Sequence, residues 1–185
     1  MIPSENLSSA GNQQERSREF LRGYVTGLVD GEGSFHIAFQ KRSDLPSGIS
    51  VIPEFHVSQH ESSKRVLELV ANVLGCGYIK PNHTKSKDKT FVFVVRDRVD
   101  LMTKVVPYFH YNQLRTVKMK DFDIFARIVE MVALRQHLRA QGLKKIINLA
   151  YKMNNEGKRR KIKKQDLIHS LFLLRDYTEK SRKLG

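Results

Sequence analysis

Apolar residues recur along the chain with two different periods, and the switches between them mark out its elements. Leu21, Val25, Leu28 and Val29 fall at helical spacing and predict an amphipathic helix from about Glu19 to Val29. From Ser34 to Lys41 the period drops to two, with Phe35, Ile37 and Phe39 pointing one way and Ser34, His36, Ala38 and Gln40 the other. Arg42 to Ser50 holds a Pro-Ser-Gly turn, and Val51 to Ser58 reads as a second strand that sets Phe55 and Val57 against Glu54, His56 and Ser58. Helical spacing returns at Ser62 to Leu74, where Val66, Leu67, Leu69, Val70 and Val73 form a stripe between a serine N-cap and the stop at Gly75. Gly77 to Asn82 and Thr90 to Val95 predict a second hairpin. Val99 to Val106 is a short helix ended by Pro107, Tyr108 to Thr116 a loop, and Lys118 to Val132 a longer helix. Helical stretches follow at about Leu138 to Asn154 and Lys164 to Tyr177. The order α-β-β-α-β-β-α predicts an α+β fold, one antiparallel four-stranded sheet with helices on one face.

The first helix contains a contradiction. Gly23 and Gly27 sit inside it, and each interior glycine costs about 1 kcal/mol relative to alanine. Two of them four residues apart predict a face bare of side chains, against which another helix backbone packs closely. The helix then stops in Asp30-Gly31-Glu32-Gly33, where glycines permit a left-handed exit. Two carboxylates stand at its foot. Asp30 is the weaker candidate for chemistry, because an acid in that place also caps neighbouring amides.

Charge narrows the class of partner. Over 185 residues the formal net charge is +14, which favours a polyanion and nucleic acid before a membrane surface. Residues 1–109 carry 14 Lys/Arg against 12 Asp/Glu, whereas residues 110–185 carry 19 against 7, so the excess lies in the last third. Cys76 is the only cysteine, which leaves no intrachain disulfide and no zinc cluster, and the seven histidines lack metal-ligand spacing. Met1 to Ser17 is polar, without the apolar core of a secretory signal, and reads as a flexible tail. No apolar run reaches membrane-spanning length, so a soluble intracellular protein without a membrane partner is expected.

Val25-Thr26-Gly27-Leu28-Val29-Asp30-Gly31-Glu32-Gly33 resembles the signature of the LAGLIDADG homing endonucleases, keeping its glycine, its aspartate, its last acid and its final glycine. The resemblance extends over roughly Glu19 to Val132. It implies that signature helices of two halves pack at the centre of the molecule, and that each half lays a saddle-shaped four-stranded sheet in the DNA major groove. The signature occurs once, so the chain looks like the homodimeric subclass, with Gly23, Thr26 and Gly27 at the dimer interface. The implied layout is a tail at 1–17, an endonuclease core at 18–134, and a helical basic part of the same domain at 135–185.

By the same resemblance Glu32 falls on the family's metal ligand, helped by the carbonyl of Gly31. Gln59 falls on a glutamine at the end of the second strand. Lys118 falls on the basic residue beside the attacking water, with Arg115, Lys120 and Asn112 as alternatives. Hydrolysis of a phosphodiester independently suits hard divalent cations on oxygen ligands, Mg2+ first, with Mn2+ or Ca2+ able to occupy the same site. One carboxylate per chain is too few for two strands, whereas two-fold packing brings a Glu32 from each copy together.

For DNA contact the polar sheet face supplies Ser34, His36, Ala38, Gln40, Glu54, His56, Lys80 and Asn82, with Arg42 at the turn. That mixture of amide, imidazole, carboxylate and cation suits base-edge readout. Lys158 to Lys164 (KRRKIKK) is either a phosphate clamp or a solvated connection. The resulting expectation is an intron-encoded, Mg2+-dependent, site-specific double-strand DNA endonuclease with a long near-palindromic target. The rival is a non-cutting binder on the same scaffold, such as an intron RNA maturase or a DNA-binding regulator. Glu32 and Gln59 being in place favour the enzyme.

Overall fold

The first helix, α1, spans Glu5–Glu32 and outruns the apolar pattern at both ends. A computed structural model describes residues 5–45, 47–82, 89–154 and 162–171, with side chains from residue 11 onward. Residues 11–20 are exposed, yet Gln13, Gln14, Glu15, Arg16 and Arg18 are good helix formers. That propensity makes helix from Glu5 onward of the segment expected as a tail. At the other end there is no left-handed exit, since neither Gly31 nor Gly33 has positive φ. Glycine at position 33 answers a contact instead. A Cβ there would lie 2.6 Å from Val29 Cγ1 and 2.7 Å from the Val29 carbonyl oxygen, so only glycine lets the chain turn from helix to strand in one step. Gly33→Ala is expected to destabilise the fold by about 1–3 kcal/mol, read from denaturant melts.

Four strands follow: β1 (Gly33–Lys41), β2 (Ile49–His60), β3 (Tyr78–Pro81) and β4 (Thr90–Val95). They form one antiparallel sheet in the order β1-β2-β4-β3. Alternation puts Phe35, Ile37, Val51, Phe55, Val57, Phe93 and Val95 on one face, all buried. Phe35, two residues past the signature, is the hub. Its ring centroid lies 5.2 Å from those of Phe55, Phe122 and Phe125 and 5.6 Å from that of Phe109. The first part of β1 is thereby locked to the helices that cover the sheet.

After a 3-10 turn at Glu61–Ser63, α2 (Lys64–Leu74) buries Leu67, Val70 and Leu74 and stops at Gly75 in a left-handed conformation. The helix expected to end at Pro107 does not end there. α3 (Arg98–Asp100) continues through a π turn at Leu101–Val105 into α4 (Val106–Tyr111), with Pro107 in the first turn of α4. The widened turn changes the bonding pattern ahead of the proline, and a first-turn position needs no N–H donor. Half of the loop expected at Tyr108 to Thr116 is therefore helix.

α5 (Lys118–Ala133) is followed by a 3-10 turn at Gln136–Leu138 and by α6 (Ala140–Ala150). Leu143, Ile146, Ile147, Met153, Leu167 and Leu171 are buried in the same core as the sheet. Asn154 ties this part to the start of β1: its side-chain amide donates to the Phe35 carbonyl (3.0 Å) and its N–H to Asp121 Oδ1 (3.0 Å). Residues 158–161 of the basic run lie outside the described residues, as do residues 172–177 of the last expected helix. No described helix is long and apolar enough to cross a membrane.

Candidate functional site

The two acids at the foot of α1 have different fates. Asp30 is bonded. Its carboxylate accepts from the amide of Arg115 (2.8 Å), the amide of Thr116 (3.1 Å) and the Thr116 hydroxyl (2.6 Å). Burial works to raise its pKa, but these hydrogen bonds and the charge of Lys118 outweigh it and hold the group below its ordinary 3.8. Asp30 thus latches the loop before α5 onto α1, bonding amides of a distant segment rather than capping neighbouring ones. Asp30→Asn weakens charge-assisted bonds and is expected to destabilise the fold by about 1–3 kcal/mol. Urea melts together with faster hydrogen exchange at the Arg115 and Thr116 amides check it.

Glu32, two residues on, is exposed. The Lys118 ammonium donates to the carbonyls of Val29 (2.9 Å) and Gly31 (3.0 Å), so the start of α5 is joined to the end of α1 beside Glu32. Burial pulls the Lys118 pKa below its ordinary 10.5, against the charges of Asp30, Glu32 and Asp121. Of the three basic candidates, Lys118 alone puts its charged end on the α1 terminus. Arg115 contributes a main-chain amide while its side chain is exposed, and Lys120 is exposed. Asn112 caps α4 by donating to the Tyr108 carbonyl (2.9 Å). Gln59 stands two residues beyond the Gly33–Val57 pair, where β2 runs on past the start of β1, and it is half-buried.

The donors collected here are a carboxylate and a main-chain carbonyl, both hard oxygens. A carbonyl has two lone pairs, so Gly31 accepts from Lys118 with one still free. This set fits a small divalent cation that keeps several waters and takes few protein ligands. No cluster of three His, Cys, Asp or Glu side chains occurs among the described residues.

α1 also carries an open face. At Gly23, Gly27 and Gly31 an added Cβ would meet nothing within 4 Å. Phe20 and Tyr24, 73% and 44% exposed, lie on the same side. The periodicity reading missed these aromatics, although Phe20, Gly23, Tyr24 and Gly27 follow the i, i+3, i+4, i+7 rule. Thr26 does not belong with them. Its hydroxyl donates to the Arg22 carbonyl (2.7 Å) and lies 3.4 Å from the Tyr108 hydroxyl, which turns it toward α4.

The second sheet face carries Ser34, His36, Ala38 and Gln40 on β1, with His56 paired to Ser34 and Glu54 to His36. Lys80 and Asn82 are exposed at the β3 edge. Arg42, at the hairpin turn, is ion-paired to Asp44 at 2.6 Å. Val92 and Val94 share this face and are buried, so it is less uniformly polar than alternation implied. Glu54 departs furthest from expectation. It is 6% exposed, with Arg96 Nη2 2.6 Å from one carboxylate oxygen and His56 Nε2 3.1 Å from the other. Burial works to raise its pKa, but His56 and Arg96 outweigh it and hold it below its ordinary 4.5.

Residues 25–129 match the LAGLIDADG endonuclease family. A probable intron-encoded endonuclease of Neurospora crassa is 31% identical over 132 residues, covering 71% of this chain and 28% of the relative. The homing endonuclease I-ApeII of Aeropyrum pernix is 28% identical over 147 residues, covering 78% of this chain and 84% of that one. Among solved structures, the archaeal intron-encoded homing endonuclease I-Vdi141I in complex with DNA superposes with a TM-score of 0.76 at 27% identity, covering 84% of this chain and 97% of its own.

Proposed function

The chain belongs to the LAGLIDADG endonuclease family, and on that premise we propose that it is a homodimeric, site-specific DNA endonuclease that hydrolyses both strands with Mg2+. The observation that carries the proposal is the foot of α1: an exposed Glu32, the Lys118 ammonium on the adjacent Gly31 carbonyl, and an unpartnered glycine face on the same helix. A lysine buried enough to lower its pKa feels the charge of a carboxylate that makes no hydrogen bond among the described residues, which is how functional groups cluster.

Each residue then has a task. Glu32 and the Gly31 carbonyl would hold the cation, Mg2+ suiting one or two carboxylates completed by phosphate oxygens and water. Bound there, the cation supplies charge stabilisation to the attacking and leaving oxygens of an in-line displacement. Lys118 Nζ spends two of its three donors on carbonyls and directs the third at the attacking water or the scissile phosphate. Gln59 orients water from the end of β2. A second copy, packed two-fold through Gly23 and Gly27 with Phe20 and Tyr24 at the flanks, supplies the second Glu32. Like carboxylates brought together repel, and a cation between them removes the conflict.

The rest of the surface serves binding. A net charge of +14 supplies attraction to phosphates, and the second sheet face supplies groups for base edges. An isologous dimer implies a target with two-fold related half-sites. The match to nearly the whole of I-Vdi141I, itself solved on DNA, supports the DNA partner, and the resemblance to an intron-encoded relative supports the same kind of host element. Incubation with a randomised duplex library tests the proposal. Cut products enriched for an inverted repeat are expected with Mg2+ and not with chelator. Duplexes bound but left intact in Mg2+ would return a non-cutting binder, and preferential binding of intron RNA would identify it as a maturase.

A further inference from the structure

A buried carboxylate on the exposed side of the sheet has no role in the core. Burying a charge is unfavourable unless it is paired, and the register supplies the pair. Phe55 pairs with Val95, the last residue of β4, so Arg96, just past the strand end, comes to lie beside Glu54, while His36 of β1 pairs with Glu54 from the other side. His36, Glu54 and Arg96 therefore follow one another across the sheet face. Arg96 Nη2 is 2.6 Å from one oxygen of Glu54, and His56 Nε2 is 3.1 Å from the other. The side chain of Glu54 keeps 8% of its surface, that of Arg96 50% and that of His56 30%, so the acid lies beneath and its two partners stand outside.

We infer that Glu54 does not read DNA itself but is a positioning residue, aiming Arg96 at a guanine in the major groove so that base preference at that position belongs to Arg96. The inference rests on the reading of this sheet face as the DNA-binding surface. A carboxylate that reads cytosine N4 needs an oxygen free and facing the groove. One oxygen of Glu54 is ion-paired to Arg96, the other lies 3.1 Å from His56 Nε2, and the group is nearly closed off. Arg96, by contrast, is half-exposed and meets Glu54 through Nη2; a guanidinium has five N–H donors, enough to hold an anchor and still offer the fork that matches guanine O6 and N7. Anchoring the guanidinium beforehand also removes part of the rotamer entropy that a free arginine loses on docking. Arg96 escaped the sequence reading because it is beside Glu54 only once β2 and β4, from different hairpins, are paired.

The probes are a duplex carrying the consensus that the wild-type protein selects from a randomised library, and its full set of single base-pair substitutions. Binding is measured by competition without divalent cation. Arg96→Ala should lose preference for guanine at one position per half-site, with discrimination falling about tenfold or more. Arg96→Lys keeps a charge for Glu54, and with it the fold, but loses the fork; it should bind the consensus about tenfold or more weakly, close to the affinity of the wild type for the duplex substituted at that position, and show the same lost preference. Glu54→Gln should lose preference at that position and no other, and the Glu54→Gln/Arg96→Ala double variant should be no worse than Arg96→Ala. The idea is overturned if Glu54→Gln changes preference at a base pair that Arg96→Ala leaves alone. It is equally overturned if Glu54→Gln lowers the melting temperature and all affinities alike with the preference profile unchanged. A wild-type protein that selects no duplex at all would instead overturn the DNA-binding reading on which the inference stands.

Discussion

Glu32→Gln is expected to abolish cleavage and leave DNA binding intact. Glu32 is exposed and makes no hydrogen bond among the described residues, so the amide leaves the fold unchanged. What it removes is the charge that would hold the cation, and in a homodimer it removes it from both halves at once. Metal assistance contributes several kcal/mol to phosphodiester hydrolysis and each 1.36 kcal/mol is tenfold in rate, so the rate should fall by roughly a thousandfold or more. Binding rests on the sheet face and the basic surface and should persist. The neighbouring acid is the control: Asp30→Asn should lower stability, because Asp30 holds the 115–116 loop. A gel shift and a cleavage assay on one target separate the outcomes, and Glu32→Gln protein cutting at the wild-type rate would sink the catalytic assignment.

Gly27→Leu is expected to convert the dimer to a folded monomer that does not cut. Within one chain an added Cβ at Gly27 meets nothing within 4 Å, so leucine enters open space. Replacing a helical glycine even favours the helix by up to about 1 kcal/mol. The monomer should therefore melt no lower than the wild type does at the same protein concentration after dilution below its dimer threshold. Across the two-fold axis the same side chain clashes twice. Overpacking typically costs about 1–3 kcal/mol per site, so association should weaken by about thirtyfold or more. Sedimentation reads the mass, and strand cleavage should disappear along with the dimer. If the variant sediments as wild type does, Gly27 is not in the interface.

The residues legible in the sequence are those whose signal is local. The alternation of Phe35, Ile37 and Phe39 placed β1, and the glycine-acid run located the helix foot, because each depends only on near neighbours. Gly75 stops α2 at the position the sequence predicts, and it does so in a left-handed conformation. What local patterns could not carry were contacts between distant segments. Asp30 meets amides 85 and 86 residues away, and Arg96 meets Glu54 through a pairing between hairpins. Pro107 was taken as a stop because a proline ends a regular α-helix, and no pattern in the sequence announces the π turn ahead of it. The segment from Glu5 to Ser17 lacks an apolar stripe, so periodicity was silent where helix propensity was not. Glu54 was misjudged for a related reason: alternation assigned its face, while burial and ion pairing decided what its carboxylate is free to do.

The central claim is that the active site is shared, with one Glu32 contributed by each of two copies. It is tested most directly by a mixed dimer of wild-type and Glu32→Gln chains, isolated through two different affinity tags and incubated with a duplex labelled on both strands in Mg2+. With a single Glu32 at the two-fold axis, cutting through both strands should fall far below half the rate of the wild-type homodimer. A mixed dimer that cuts both strands at the full wild-type rate would contradict the shared site.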